Sequence, residues 1–127
     1  MEYWPKRDVA ISRKVRYNAG AMTDETKAQL DELVRRIVDA VHPLKIILFG
    51  SAARGEMGPD SDVDLLVVMP DGTHRRKTAQ YLYGAIRGIK VPFDVVVATP
   101  SDLERHRDNI GLIYHTVLEE GKTLYAA

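Results

Sequence analysis

The sequence predicts an α+β domain in which helices and strands alternate. Three observations carry that expectation. Leu30, Leu33, Val34, Ile37, Val38 and Val41 recur at helical spacing. Three apolar runs rich in β-branched residues, at 45–49, 62–69 and 93–98, have the length of strands. Glycine or proline punctuates those runs at their ends. A simple parallel sheet is the competing reading, because the elements alternate.

Each element has a local cause. Residues 1–22 show no clear period and form an N-terminal extension, either docked or mobile, and 23–127 form the domain. Thr23 is a good N-cap, with Asp24 and Glu25 in the first turn where the helix dipole favours acids. The helix ends near His42-Pro43, because the residue before proline avoids helical backbone. Residues 45–49 form a buried strand closed by Gly50, and 51–56 read as a short helix. Gly58 and Pro59 make 57–61 a loop. The strand at 62–69 is closed by Pro70-Asp71-Gly72. Thr73 is expected to cap a helix from 74 to about 88, with Tyr81 and Tyr83 packing within the protein. Pro92 opens the third strand, at the first position where proline is tolerated. Ser101 is expected to cap a further helix, 109–120 continues helical, and Gly121 stops it. Residues 123–125 are a last short strand or a tail.

Bulk composition narrows the function. The chain has 127 residues, 45% hydrophobic and 28% charged, ordinary for one globular domain. Lys+Arg and Asp+Glu are both 18, so no strong general grip on nucleic acid is expected. There is no cysteine, which excludes disulfides and thiolate metal sites. No apolar run has the length of a membrane span, and a cytoplasmic location is the expectation.

The chemistry concentrates in two places. Gly50-Ser51 opens a turn whose unpaired N–H groups suit phosphate, with Arg54 one helical turn on. For Arg54 two roles stay open, phosphate contact or surface charge. Asp62 and Asp64 lie two apart on a strand and so share a face, as a hard cation requires. The apolar run 65–68 after them makes that strand central. Asp94 stands in an otherwise apolar strand, where a charge is costly unless paired or metal-bound, or faces water at an edge.

Gly50-Ser51, ten further residues and then Asp62-x-Asp64 resemble the signature of the DNA polymerase beta-type nucleotidyltransferase superfamily. The short chain resembles its minimal nucleotidyltransferases, and among them the MntA-type antitoxins paired with helical HEPN toxins. The resemblance implies the nucleotidyltransferase fold, a small mixed sheet with helices packed on one face. It implies that Asp62, Asp64 and Asp94 hold one or two Mg²⁺ ions, and that Asp94 helps deprotonate an acceptor hydroxyl. Gly50, Ser51, Arg54 and Ser61 would serve the nucleotide, Ser61 by orienting its loop. The implied reaction moves AMP from ATP to a hydroxyl, a tyrosine for preference, of a HEPN toxin. Two alternatives remain: transfer to a small molecule or RNA end, as a homo-oligomer, and a non-catalytic antitoxin that only masks a toxin. The stretch after Asp94 is too short for a second, acceptor-binding domain, so a partner is expected to supply the acceptor.

Overall fold

The computed structural model describes residues 23–55, 62–106 and 113–127. The expected N-terminal extension, Ser61 and the loop before it lie outside the described residues. In chain order the elements are α1 (Asp24–Val41), β1 (Lys45–Phe49), β2 (Val63–Val68), α2 (Arg75–Ala85), β3 (Phe93–Ala98), α3 (Pro100–His106), α4 (Ile113–Glu120) and β4 (Lys122–Ala126).

The strands form one sheet in the order β3-β2-β1-β4. β1 pairs antiparallel with both β2 and β4, whereas β2 and β3 are parallel. The sheet is therefore mixed, and the all-parallel alternative is excluded. The local reason is the content of the connections, a helix between β2 and β3 and, among the described residues, none between β1 and β2. The Gly50 loop returns the chain beside β1, but a parallel neighbour needs a crossover, which α2 supplies between β2 and β3.

Alternation along the strands builds two cores. Ile46, Leu48, Val63, Leu65, Val67, Val95 and Val97 meet α1 and α2 through Leu30, Leu33, Ile37 and Leu82. Ile47, Phe49, Leu66, Val68 and Ala98 meet Leu103 of α3 and Val117 of α4. The α+β class with a small mixed sheet holds, but the helices do not gather on one face. The second core explains this, since β1 and β2 carry apolar residues on both sides and each side must be covered. Each fully buried leucine contributes roughly 1.5–3 kcal/mol.

Several boundaries differ from the sequence expectation. Thr23 does cap α1, accepting the Thr26 N–H at 3.1 Å. His42 ends α1 in the left-handed region (φ 49°), its N–H donating to the Val38 carbonyl at 2.9 Å. α2 is capped by His74 rather than Thr73: His74 Nδ1 accepts the Lys77 N–H at 3.2 Å, while the Thr73 hydroxyl donates to the Pro70 carbonyl at 2.7 Å. α2 stops at Ala85, short of Gly88. Thr99, not Ser101, caps α3: its Oγ1 accepts the Asp102 N–H at 3.3 Å, and Asp102 Oδ2 accepts the Thr99 N–H at 3.0 Å. Ser101 instead donates its N–H and hydroxyl to Asp71 at 3.1 and 2.9 Å. Residues 51–55 form overlapping turns rather than a helix. α4 begins at Ile113, and 107–112, including the expected Asn109 start, lie outside the described residues.

Candidate active site

β1 delivers Phe49 opposite Asp64, and the next residue turns sharply. Gly50 has φ +78°, a backbone that only glycine enters without strain. A Cβ there would lie 2.5 Å from Asp64 Oδ2, so the Gly50 backbone rests directly on that carboxylate. The Gly50 carbonyl then accepts the N–H of Ala53 at 3.1 Å and of Arg54 at 3.2 Å. Among the described residues, the Ser51 and Ala52 N–H groups make no such bond. Among the described residues these donors are open, as a turn that binds phosphate would need.

β2 and β3 set the carboxylates. Asp64 and Asp94 are direct register partners in the parallel pair. Partners across parallel strands point to the same face, about 5 Å apart at the backbone. That face also carries Leu66, Val68 and Ala98, so it is the α3–α4 side. Asp62 immediately precedes β2, two residues from Asp64 and exposed. Burial pushes the Asp64 carboxyl above the ordinary carboxylate range, and the negative charges of Asp94 and Asp62 add to the shift. Among the described residues, no hydrogen bond or ion pair engages any of the three carboxylates.

This donor set fits a hard divalent cation. It is all oxygen, anionic, unneutralised and set at the mouth of a packed core. Among the described residues the side chains do not stand preassembled as a cluster of three at ligating spacing.

The geometry places the other expected residues differently. Arg54 Nη1 lies 3.0 Å from Glu120 Oε1, an ion pair to the end of α4. The residue after Glu120 locks that end in place. A Cβ on Gly121 would lie 2.4 Å from the Val117 carbonyl oxygen and 2.5 Å from Ile47 Cγ2, so α4 meets β1 with no space for a side chain. Glu120 carries no local sequence signal, since its partner is remote in the chain. Behind Asp94, the Tyr83 ring stacks on Phe93 at 5.8 Å and the Tyr83 hydroxyl accepts the Val95 N–H at 2.7 Å. Tyr83 packs as expected, but Tyr81 is 56% exposed and does not.

The sequence and the fold both have relatives among known proteins. A family model described as a nucleotidyltransferase domain matches residues 28–122. No curated protein matches the sequence. A protein from Sulfolobus solfataricus, itself a nucleotidyltransferase by inference, is similar in structure with a TM-score of 0.52 at 20% identity, over 86% of this chain and 93% of that one. A toxin–antitoxin structure with AMP-PNP is similar with a TM-score of 0.48 at 25% identity, over 83% and 75%. A tri-AMPylated HEPN toxin in complex with its MNT antitoxin, from Shewanella oneidensis, gives 0.49 at 22%, over 80% and 73%. The family match spans most of the chain, from α1 to the start of β4 and through every residue of the site described above, and this protein belongs to the nucleotidyltransferase domain family.

Proposed function

We propose that this nucleotidyltransferase moves AMP from ATP to a hydroxyl, a tyrosine for preference, on a helical HEPN-type toxin, and so acts as its antitoxin. The observation that carries the transfer is the pairing of Asp64 with Asp94 beside the Gly50 turn. An anion turn and a cation face then adjoin, which is what a metal-bound triphosphate needs. The acceptor part of the reading rests on the motif's resemblance to minimal nucleotidyltransferase antitoxins.

Each residue has a task. Asp62, Asp64 and Asp94 would hold Mg²⁺, one or two ions, whose positive charge screens the triphosphate and favours the departing pyrophosphate. The Ser51 and Ala52 N–H groups and the Ser51 hydroxyl bind the β- and γ-phosphates. Arg54 stands within one turn of them and exchanges Glu120 for phosphate. Asp94 is exposed, and its carboxylate takes the proton of the acceptor hydroxyl. The acceptor oxygen bonds to the α-phosphorus as the bond from that phosphorus to the bridging oxygen breaks. The electron pair leaves with pyrophosphate. Positioning and charge stabilisation supply most of the acceleration.

The test uses ATP labelled at the α-phosphate, Mg²⁺, the full chain and a HEPN toxin. Label is expected on the toxin with the wild type and absent with Asp64→Asn. ATP labelled at the γ-phosphate should leave the toxin unlabelled. Failure of the pure protein to transfer α-label to a toxin, an RNA end or a small hydroxyl compound overturns catalysis. Label only on RNA or a small molecule overturns the antitoxin reading alone.

A further inference from the structure

Charge in this chain is balanced overall but not along its length. From Gly72 to Phe93 there are Arg75, Arg76, Lys77, Arg87 and Lys90 and no Asp or Glu. Every acidic residue lies elsewhere. Arg75 is neutralised by Asp102 at 3.1 Å. Among the described residues, Arg76, Lys77, Arg87 and Lys90 make no ion pair. All four are exposed.

The helix arranges these cations with aromatic surface. Leu82 and Ile86 face the core. Arg76, Gln80 and Tyr83 follow one flank at i, i+4 and i+7, and Arg87 continues it past the end of α2. Lys77 and Tyr81 lie on the outward side, also one turn apart. Tyr81 and Tyr83 are the exposed large hydrophobic residues of the described chain, at 56% and 46%. Arginine and tyrosine are the residue types enriched in protein interfaces.

The stripe ends at β3, the edge strand that carries Asp94 on its other face. Tyr83 stacks on Phe93, the residue before Asp94, and its hydroxyl accepts the N–H of Val95, the residue after. α2 packs on the opposite face of the sheet from Asp94, and β3 is the edge strand, so the two faces meet around that edge with no further strand between.

We propose that the outward face of α2 is a docking surface for an acidic protein that carries the acceptor hydroxyl. Charge complementarity chooses the occupant. Nucleic acid matches the cations but not their surroundings. A continuous phosphate backbone that followed the stripe around the β3 edge would meet Asp94 and Asp64. An acidic protein places its charges discretely, meets Tyr81 with apolar surface and leaves its hydroxyl at the Asp94 end. Delivery of the hydroxyl rests on the transfer reaction proposed above, whereas the docking itself does not.

The probe is a fluorescent random copolymer of glutamate and tyrosine, an acidic chain bearing phenolic hydroxyls. Its binding is followed by anisotropy at low and high NaCl, beside a lysine–tyrosine copolymer and a single-stranded RNA. The acidic copolymer is expected to bind tightest, and to weaken as salt rises. Arg76→Glu with Lys77→Glu should weaken it by about tenfold or more. Reversal of Lys27 and Lys122 together, on α1 and β4, should leave it unchanged. Asp64→Asn should bind the copolymer as the wild type does while transferring no label, so failure of docking and failure of catalysis read differently. Circular dichroism melts check that each variant is folded. RNA binding tighter than the acidic copolymer, or equal loss from both double reversals in folded protein, overturns the proposal.

Discussion

Asp64 and Asp94 face each other across the parallel β2–β3 pair, on one side of the sheet, with the Gly50 backbone resting on the Asp64 carboxylate. Two acids in register without a cation between them repel. The fold accepts that repulsion at the mouth of its core, and this trade sets the behaviour expected of several variants.

Asp64→Asn should abolish nucleotidyl transfer and stabilise the metal-free protein at neutral pH. The sign follows from the raised carboxyl of Asp64. Its stabilising contribution is complete below the unfolded-state pKa and is lost as pH rises through the folded one. The gain in the variant is at most about 1 kcal/mol, because the site is largely solvated. Thermal melts should show that gap closing as the pH falls below the ordinary aspartate value of about 3.9. Mg²⁺ should raise the wild-type melting temperature more than that of the variant. A variant less stable than wild type at pH 7 would contradict this account.

Gly50→Ala should cost about 2 kcal/mol or more, from a left-handed backbone and a Cβ driven onto Asp64 Oδ2. The two causes separate in a double-mutant cycle. Asp64→Ala in the Gly50→Ala background removes the clash but not the backbone strain, so part of the loss should return. Urea melts of the four proteins measure the coupling.

Arg54→Ala should raise the KM for ATP about tenfold with a smaller effect on stability, since its ion pair to Glu120 is half exposed and worth about 0–1 kcal/mol. Glu120→Gln should act in the opposite direction on KM, because the Glu120 carboxylate then no longer competes with phosphate for Arg54. Steady-state kinetics over a range of ATP concentrations distinguish the two. Equal KM values in all three proteins would remove Arg54 from nucleotide binding.

Tyr83→Phe should cost about 1 kcal/mol, since the Val95 N–H at the sheet edge loses its acceptor while the stack on Phe93 survives. Hydrogen exchange at Val95 should quicken more than exchange at Leu66 in the sheet centre. An unchanged Val95 rate would show that water replaces the hydroxyl without loss.

By itself the sequence determined what is short-ranged. The periodicity of 30–41 placed α1, alternating apolar runs placed β1 to β3, and the spacing of Asp62 and Asp64 put them on one face, because side-chain direction repeats locally. Helix ends were less legible. Thr73, His74, Thr99 and Ser101 are all able caps, and the choice depended on where the tertiary structure ends each helix and draws each side chain. Only the tertiary structure decided that Asp94 stands in register with Asp64, that Glu120 reaches Arg54, that Tyr83 closes the edge of β3, and that helices cover both faces of the sheet. Those relationships join segments far apart in the chain. They depend on strand order and crossover, which no local pattern of residues encodes.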